Sequence, residues 1–230
     1  MSDASIIAPG TTYFGPSNTI DTTNYKKTSL EGQPHILPDQ DLSFVLRSGA
    51  KVYAVAARNV SGITLMPGLA VRWQAAYRFR RFDGYSDTLG GAVGGIIDPN
   101  LTAGVRHGDI CLIYVHGPCL VRVPLTAAGF NSSGSGVAWV KGGTIVDGDI
   151  LMAQTGVLTG NTVSGTTADG GGHLCAWNAT GGMTCTLTES TSVGPSMIIN
   201  KVGRVMSALT TAETTQSQRV LVSLEWLPMP

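Results

Sequence analysis

The stretch from Val105 to Val123, reading VRHGDICLIYVHGPCLVRV, constrains this chain more than any other. Every residue from Ile110 to Val115 is apolar or aromatic. Successive side chains of an extended segment point to opposite faces, so Ile110, Leu112 and Tyr114 need one apolar layer and Cys111, Ile113 and Val115 another. A strand with one wet face would alternate instead. The run is short for a lone helix, is rich in strand formers, and lies between the turn residues His107-Gly108-Asp109 and Gly117-Pro118. The expectation is an all-β protein, with a single β-barrel or β-sandwich core, an extended N-terminal arm and long loops rich in Gly, Thr and Ser.

The same grammar recurs. Met66-Pro67-Gly68 launches the strand-like Leu69–Trp73, and Asp147-Gly148-Asp149 launches Ile150–Met152, each with a glycine where the bend favours positive φ. The three units need not be true repeats; their spacing reads as irregular, and on it a solenoid or propeller is not expected. Further strands are expected at Phe44–Leu46, Val52–Ala57 and Val137–Val140, with a half-buried closing strand at Val220–Trp226. His173–Asn178 and Gly182–Thr188 flank Ala179-Thr180-Gly181 as a hairpin, which sets Cys175 opposite Cys185 at a separation a disulfide can span. The best helix candidate is short, within Thr210–Ser217.

Residues 1–42 show neither period, are punctuated by Pro9, Gly15, Pro16, Pro34 and Pro38, and read as an extended arm; residues 43–230 read as the β-rich core, with 155–172 an exposed hairpin or loop. Charged residues make up 13% of the chain and cancel to a net charge of +0, where an ordinary domain carries about 25%. That balance disfavours a nucleic-acid partner and suggests surface that meets other protein, as in a closed homo-oligomer, most simply a homotrimer. The N-terminus lacks the basic and apolar regions of a signal peptide, and no window approaches eighteen uninterrupted apolar residues. Cytosolic synthesis, no membrane partner and reduced cysteines follow as expectations.

Apolar residues spaced along the arm, Tyr13, Phe14 and Tyr25 among them, suit a segment laid over a partner. Tyr77 and Phe79 alternate with Arg78 and Arg80, followed by Arg81; the segment reads either as an amphipathic strand with solvated arginines or as a basic patch for an acidic protein surface. Catalytic chemistry is not expected. The chain has no GxSxG turn, Gly90–Gly95 does not fit a phosphate-cradling GxGxxG, and His107 and His116 near Asp109 read as turn caps. A zinc set of His107, Cys111, His116 and Cys119 is disfavoured, because Cys111 lies in a wholly apolar run and no CxxC knuckle is present. No metal, cofactor or small-molecule substrate is therefore expected.

In order, Asn59-Val60-Ser61-Gly62, Leu65–Val71, Gly117–Val123, Asp147-Gly148-Asp149-Ile150-Leu151, Val202–Met206 and Val220–Val222 resemble the capsid cement, or decoration, proteins of tailed bacteriophages. The likeness spans roughly residues 52 to 226. It implies a small β-barrel or sandwich that trimerises on the major capsid protein and stabilises the head from its outer surface, on a virion assembled in the host cytoplasm. The long arm, the arginine segment and the 155–172 loop depart from that pattern. A second expectation, from another class, is a carbohydrate-binding or head-fibre-base module with Trp73, Tyr85, Trp139 and Trp177 as sugar platforms.

Overall fold

The computed structural model describes residues 7–14, 30–37, 51–77, 79–86, 93–124, 145–153, 172, 174–177, 201–212 and 217–225. Its strands are β1 (Tyr13–Phe14), β2 (Pro34–Leu37), β3 (Val52–Asn59), β4 (Ala70–Trp73), β5 (Arg81–Tyr85), β6 (Gly95–Ile97), β7 (Asp109–Pro124), β8 (Ile150–Ala153), β9 (Leu174–Trp177), β10 (Lys201–Ala212) and β11 (Ser217–Leu224). One turn of 3₁₀ helix, Ala75–Tyr77, is the sole helical element among the described residues.

The long β7 joins two halves of the molecule. Its first half pairs antiparallel with β3, from Arg58↔Ile110 to Tyr53↔His116, and with β6 at Ile97↔Ile113. Because β3 also runs parallel to β5, β5 antiparallel to β4 and β4 antiparallel to β6, the strands β3, β5, β4, β6 and β7 close into a ring. The second half of β7 pairs with β11 in unbroken register, Gly117↔Leu224 through Pro124↔Ser217, and the sheet continues antiparallel through β10, β8 and β9. The fold is all-β.

The doubly apolar run has the two layers its composition demands. Cys111 and Ile113 face one core with Leu65, Val71, Phe82 and Ile97. Ile110, Leu112 and Tyr114 face the other, which they share with Val121, Val123, Val220, Val222 and Leu224 of the second half. At the junction Gly117 adopts φ 99°, and a side chain there would strike the Lys51 carbonyl and come within 3.1 Å of the Val52 Cα. Glycine is required both by the dihedral and by the closeness of β3.

The three turn-plus-strand units share more than a glycine. Gly68, Gly108 and Gly148 stand forty residues apart in sequence, which overturns the irregular spacing expected, and have φ of 75°, 93° and 84°. Each donates its N–H to a neighbouring carbonyl, of Ile97 (3.0 Å), Asn59 (2.8 Å) and Val205 (2.8 Å) respectively. The N–H two residues before the glycine is capped in turn. The Asp109 carboxylate accepts from Arg106 at 3.1 Å and the Asp149 carboxylate from Val146 at 2.8 Å. In the first unit Leu69 holds the aspartate's place, and the Tyr85 hydroxyl accepts from Met66 at 2.9 Å instead. The first two units also mate: Leu65 and Val105 exchange both backbone hydrogen bonds, at 2.9 and 2.8 Å.

Other expectations change. The helix expected within Thr210–Ser217 is not formed at its ends, since β10 runs through Ala212 and β11 begins at Ser217; the pairing Ala212↔Gln218 makes them arms of one hairpin, and ladder bonds override weak helical propensity. Tyr77, Phe79 and Arg80 are not in a strand either. They belong to the β4–β5 connection, because Trp73 pairs with Phe82 and the chain must reverse between them. Tyr77 donates to the Gln74 carbonyl and Arg80 to that of Tyr77, with Phe79 at φ 61° in the bend. The strands expected at Phe44–Leu46, Val137–Val140 and Gly182–Thr188, residues 155–171 of the expected loop, the boundary at 42/43 and the Cys175–Cys185 pairing lie outside the described residues; of the last, only β9 is seen, with Cys175 opposite Met152 of β8. The loop's final residue, Gly172, is buried rather than exposed, its carbonyl accepting the Ala70 N–H at 2.7 Å.

Candidate functional site

The described parts of the arm lie on the chain's own strands. β1 pairs with the start of β7 (Tyr13↔Ile110), and β2 adds to β3 along its edge (Pro34↔Val55 to Leu37↔Val52). Ile7, Leu30 and Leu37 are buried in the same core as Ile110 and Leu112. A segment expected to lie over a partner is, in these stretches, laid over its own barrel.

Two carboxylates pin it there. Glu31, 4% exposed, sets Oε1 against the Nε of Arg58, which is 0% exposed, and Oε2 lies 3.5 Å from the Nε of Arg81, 5% exposed. Arg58 also donates from Nη1 to the Gly108 carbonyl at 2.6 Å, which ties the arm to the second of the three turns. The Arg81 guanidinium stacks 4.2 Å from the centre of the Tyr77 ring. A buried ion network of this kind is costly to break from one side, because the remaining charge keeps its desolvation penalty. The second pin runs the other way. Asp98, wholly buried, accepts from Gly10 N–H at 2.6 Å through Oδ2 and from Asn100 N–H at 2.9 Å through Oδ1. Burial raises its pKa, opposed by those two N–H donors and by the Tyr114 and Asn100 side chains. Burial likewise raises the Tyr114 pKa, its hydroxyl accepting from Asn100 Nδ2 at 3.1 Å.

Around the Glu31 clamp the surface is open. Gly32 (φ 84°) passes so close to Arg80 that an added Cβ would lie 3.0 Å from its Cγ. Arg80 is exposed, as are Tyr77 in the same loop and Ile36 on β2, the last at 62%. Arg80 and Tyr77, a cation and an aromatic ring in one loop beside Gly32, form the candidate partner surface, while Ile36 lies further along β2, opposite Tyr53.

Of the residues singled out from sequence, Arg80 belongs to this surface. Arg81 does not: it points inward to Glu31 and Tyr77, because the buried carboxylate needs a second cation. Tyr13 is half-buried against the core, Phe14 contributes its backbone opposite Asp109, and Tyr25 and Arg78 lie outside the described residues. Trp73 is half-buried, packing on the barrel core and against Phe79 with ring centres 5.5 Å apart, and Tyr85 is buried. Trp139 lies outside the described residues. Cys111 and Cys119 are free thiols in different cores, each held well above the ordinary cysteine pKa by burial. His107 accepts the Gly62 N–H at its Nδ1, 2.9 Å away. Among the described residues no three His, Cys, Asp or Glu side chains come together as metal ligands.

Sequence reasoning missed Glu31, Arg58 and Asp98. A signal existed for the latter two: Arg58 follows directly on the apolar run VYAVAA and Asp98 follows Gly95-Ile96-Ile97, where a charge demands a partner. No protein-family model matches the chain, and no curated protein sequence matches it.

Proposed function

We propose that this chain is a capsid decoration protein, which binds the outer surface of a tailed-phage head through its major capsid protein and stabilises the lattice. The observation that carries the reading is the spatial order of the segments behind the resemblance. Gly117–Val123 of β7 pairs with β11 through Val220–Val222, which pairs with β10 at Val205, and β10 pairs with Ile150–Leu151 of β8. Four of the six segments, far apart in sequence, thus form one contiguous antiparallel sheet, and their adjacency supports the reading. The low charge and the exposed Tyr77 and Arg80 of one loop suit docking on protein, and self-association belongs to the same proposal. The work of such a protein is adhesion, not chemistry.

Co-sedimentation tests this. The purified chain is mixed with empty heads prepared from the phage whose genome encodes it, with the corresponding gene deleted. Saturable binding that weakens with salt and with Arg80→Glu is expected; pelleting no greater than that of an unrelated β-protein overturns the proposal.

A further inference from the structure

We propose that the third turn, Val146–Asp149, together with the β10 bulge beside it, is a self-docking surface whose occupant is the same surface of a second copy. The structure contains an internal precedent. The first two units meet edge to edge at Leu65 and Val105, each donating its N–H to the other's carbonyl, so this kind of turn mates with another of its kind about a local two-fold. Ile145 occupies the position of Leu65 and Val105 in the third unit, and among the described residues it has no such counterpart.

What surrounds Ile145 fits a copy of itself. Gly148 N–H donates to the Val205 carbonyl and Val205 N–H to the Asp149 carbonyl, both at 2.8 Å, and the Asp147 carboxylate accepts from Ala208 N–H at 2.7 Å. These bonds stitch the turn to β10 where its register shifts between Val205 and Ser207, and leave Met206 out of the ladder. Val146 is 49% exposed and Met206 39%, so two apolar side chains stand in water on segments held together. The surface carries both signs, Asp147 and Arg204 being exposed, with the Asp149 carboxylate turned back onto the Val146 N–H at 2.8 Å. Under a two-fold axis every residue i that meets j is matched by j meeting i, so a patch carrying both signs complements itself. A partner of one sign would leave either Asp147 or Arg204 facing its like.

This surface is argued without the capsid reading and makes a different demand on assembly. An isologous contact produces dimers or even-numbered species, against the trimer that both the composition and the resemblance suggest. The test is sedimentation velocity of the full chain with Val146→Glu and Met206→Glu variants, circular dichroism serving as the folding control. Even-numbered wild-type species that fall to half their mass in either folded variant are expected. In addition, mild oxidation of Val146→Cys is expected to give a dimer whose mapped peptide links the two introduced thiols. A wild-type monomer or trimer, or folded glutamate variants of unchanged mass, overturns the proposal whatever the result on phage heads.

Discussion

Replacing Glu31 by Gln probes the arm clamp directly. The substitution preserves shape and one acceptor oxygen but leaves Arg58, with no solvent access, without its anion. Removing one partner of a buried pair costs about 3–5 kcal/mol. Arg58 keeps its 2.6 Å bond to the Gly108 carbonyl, which places the expected loss at the low end, about 3 kcal/mol. With a urea slope of about 3 kcal/mol/M for a chain of this size, the midpoint falls by about 1 M. Amide exchange supplies a local reading, since Ala56 N–H donates to the Gln33 carbonyl across the arm–barrel seam at 3.0 Å and should lose protection before the β7–β11 ladder does. Pairing the change with Arg58→Met should restore part of the loss, a coupling of about 2 kcal/mol, because the Arg58 charge is gone and only Arg81, stacked on Tyr77, still lacks the Glu31 carboxylate. A loss below about 1 kcal/mol in Glu31→Gln, with Ala56 protection unchanged, would refute the clamp.

Gly117→Ala places a Cβ against the Lys51 carbonyl at a positive φ, so β3 and β7 must part; loss of several kcal/mol, or of soluble protein, is expected from denaturant unfolding. Two titrations act in opposite directions. Burial lowers the His35 pKa below 6.5, so its contribution to stability is full above pH 6.5 and is lost as pH falls through the lowered value; His35→Gln should flatten that acid-side decline in unfolding midpoints. Burial raises the Asp98 pKa above 3.8, so its contribution is full below pH 3.8 and declines as pH rises through the raised value; in Asp98→Asn that slope should vanish. Cys111 and Cys119, buried and held as thiols, should alkylate at neutral pH only once denaturant opens the two cores, and rapid labelling of either in the native protein contradicts the packing.

The features legible in sequence are those written locally. Six consecutive apolar residues at Ile110–Val115 require two layers by strand geometry alone, and two layers are present. Glycine beside Asp or Pro marked all three turns, and each has the positive φ that favours glycine. What escaped depends on tertiary pairing. The alternation of Tyr77-Arg78-Phe79-Arg80 imitates a strand, and only the Trp73↔Phe82 register turns it into a reversal. Arg81 resembled its neighbours in sequence and differs from Arg80 because it starts β5 and meets a carboxylate fifty residues earlier. The arm's apolar residues read as anchors for a partner, whereas its described stretches pair with the chain's own β7 and β3, since the pattern is the same whether the surface covered belongs to another protein or to the same chain.

Image reconstruction of empty heads, assembled without this protein and then incubated with it, tests the central proposal most directly. The account predicts new density on the outer surface at repeated lattice positions, fitted by the β7-centred fold with the Arg80 side toward the shell. Heads that stay bare at saturating protein, or density confined to the tail or the shell's interior, would contradict it.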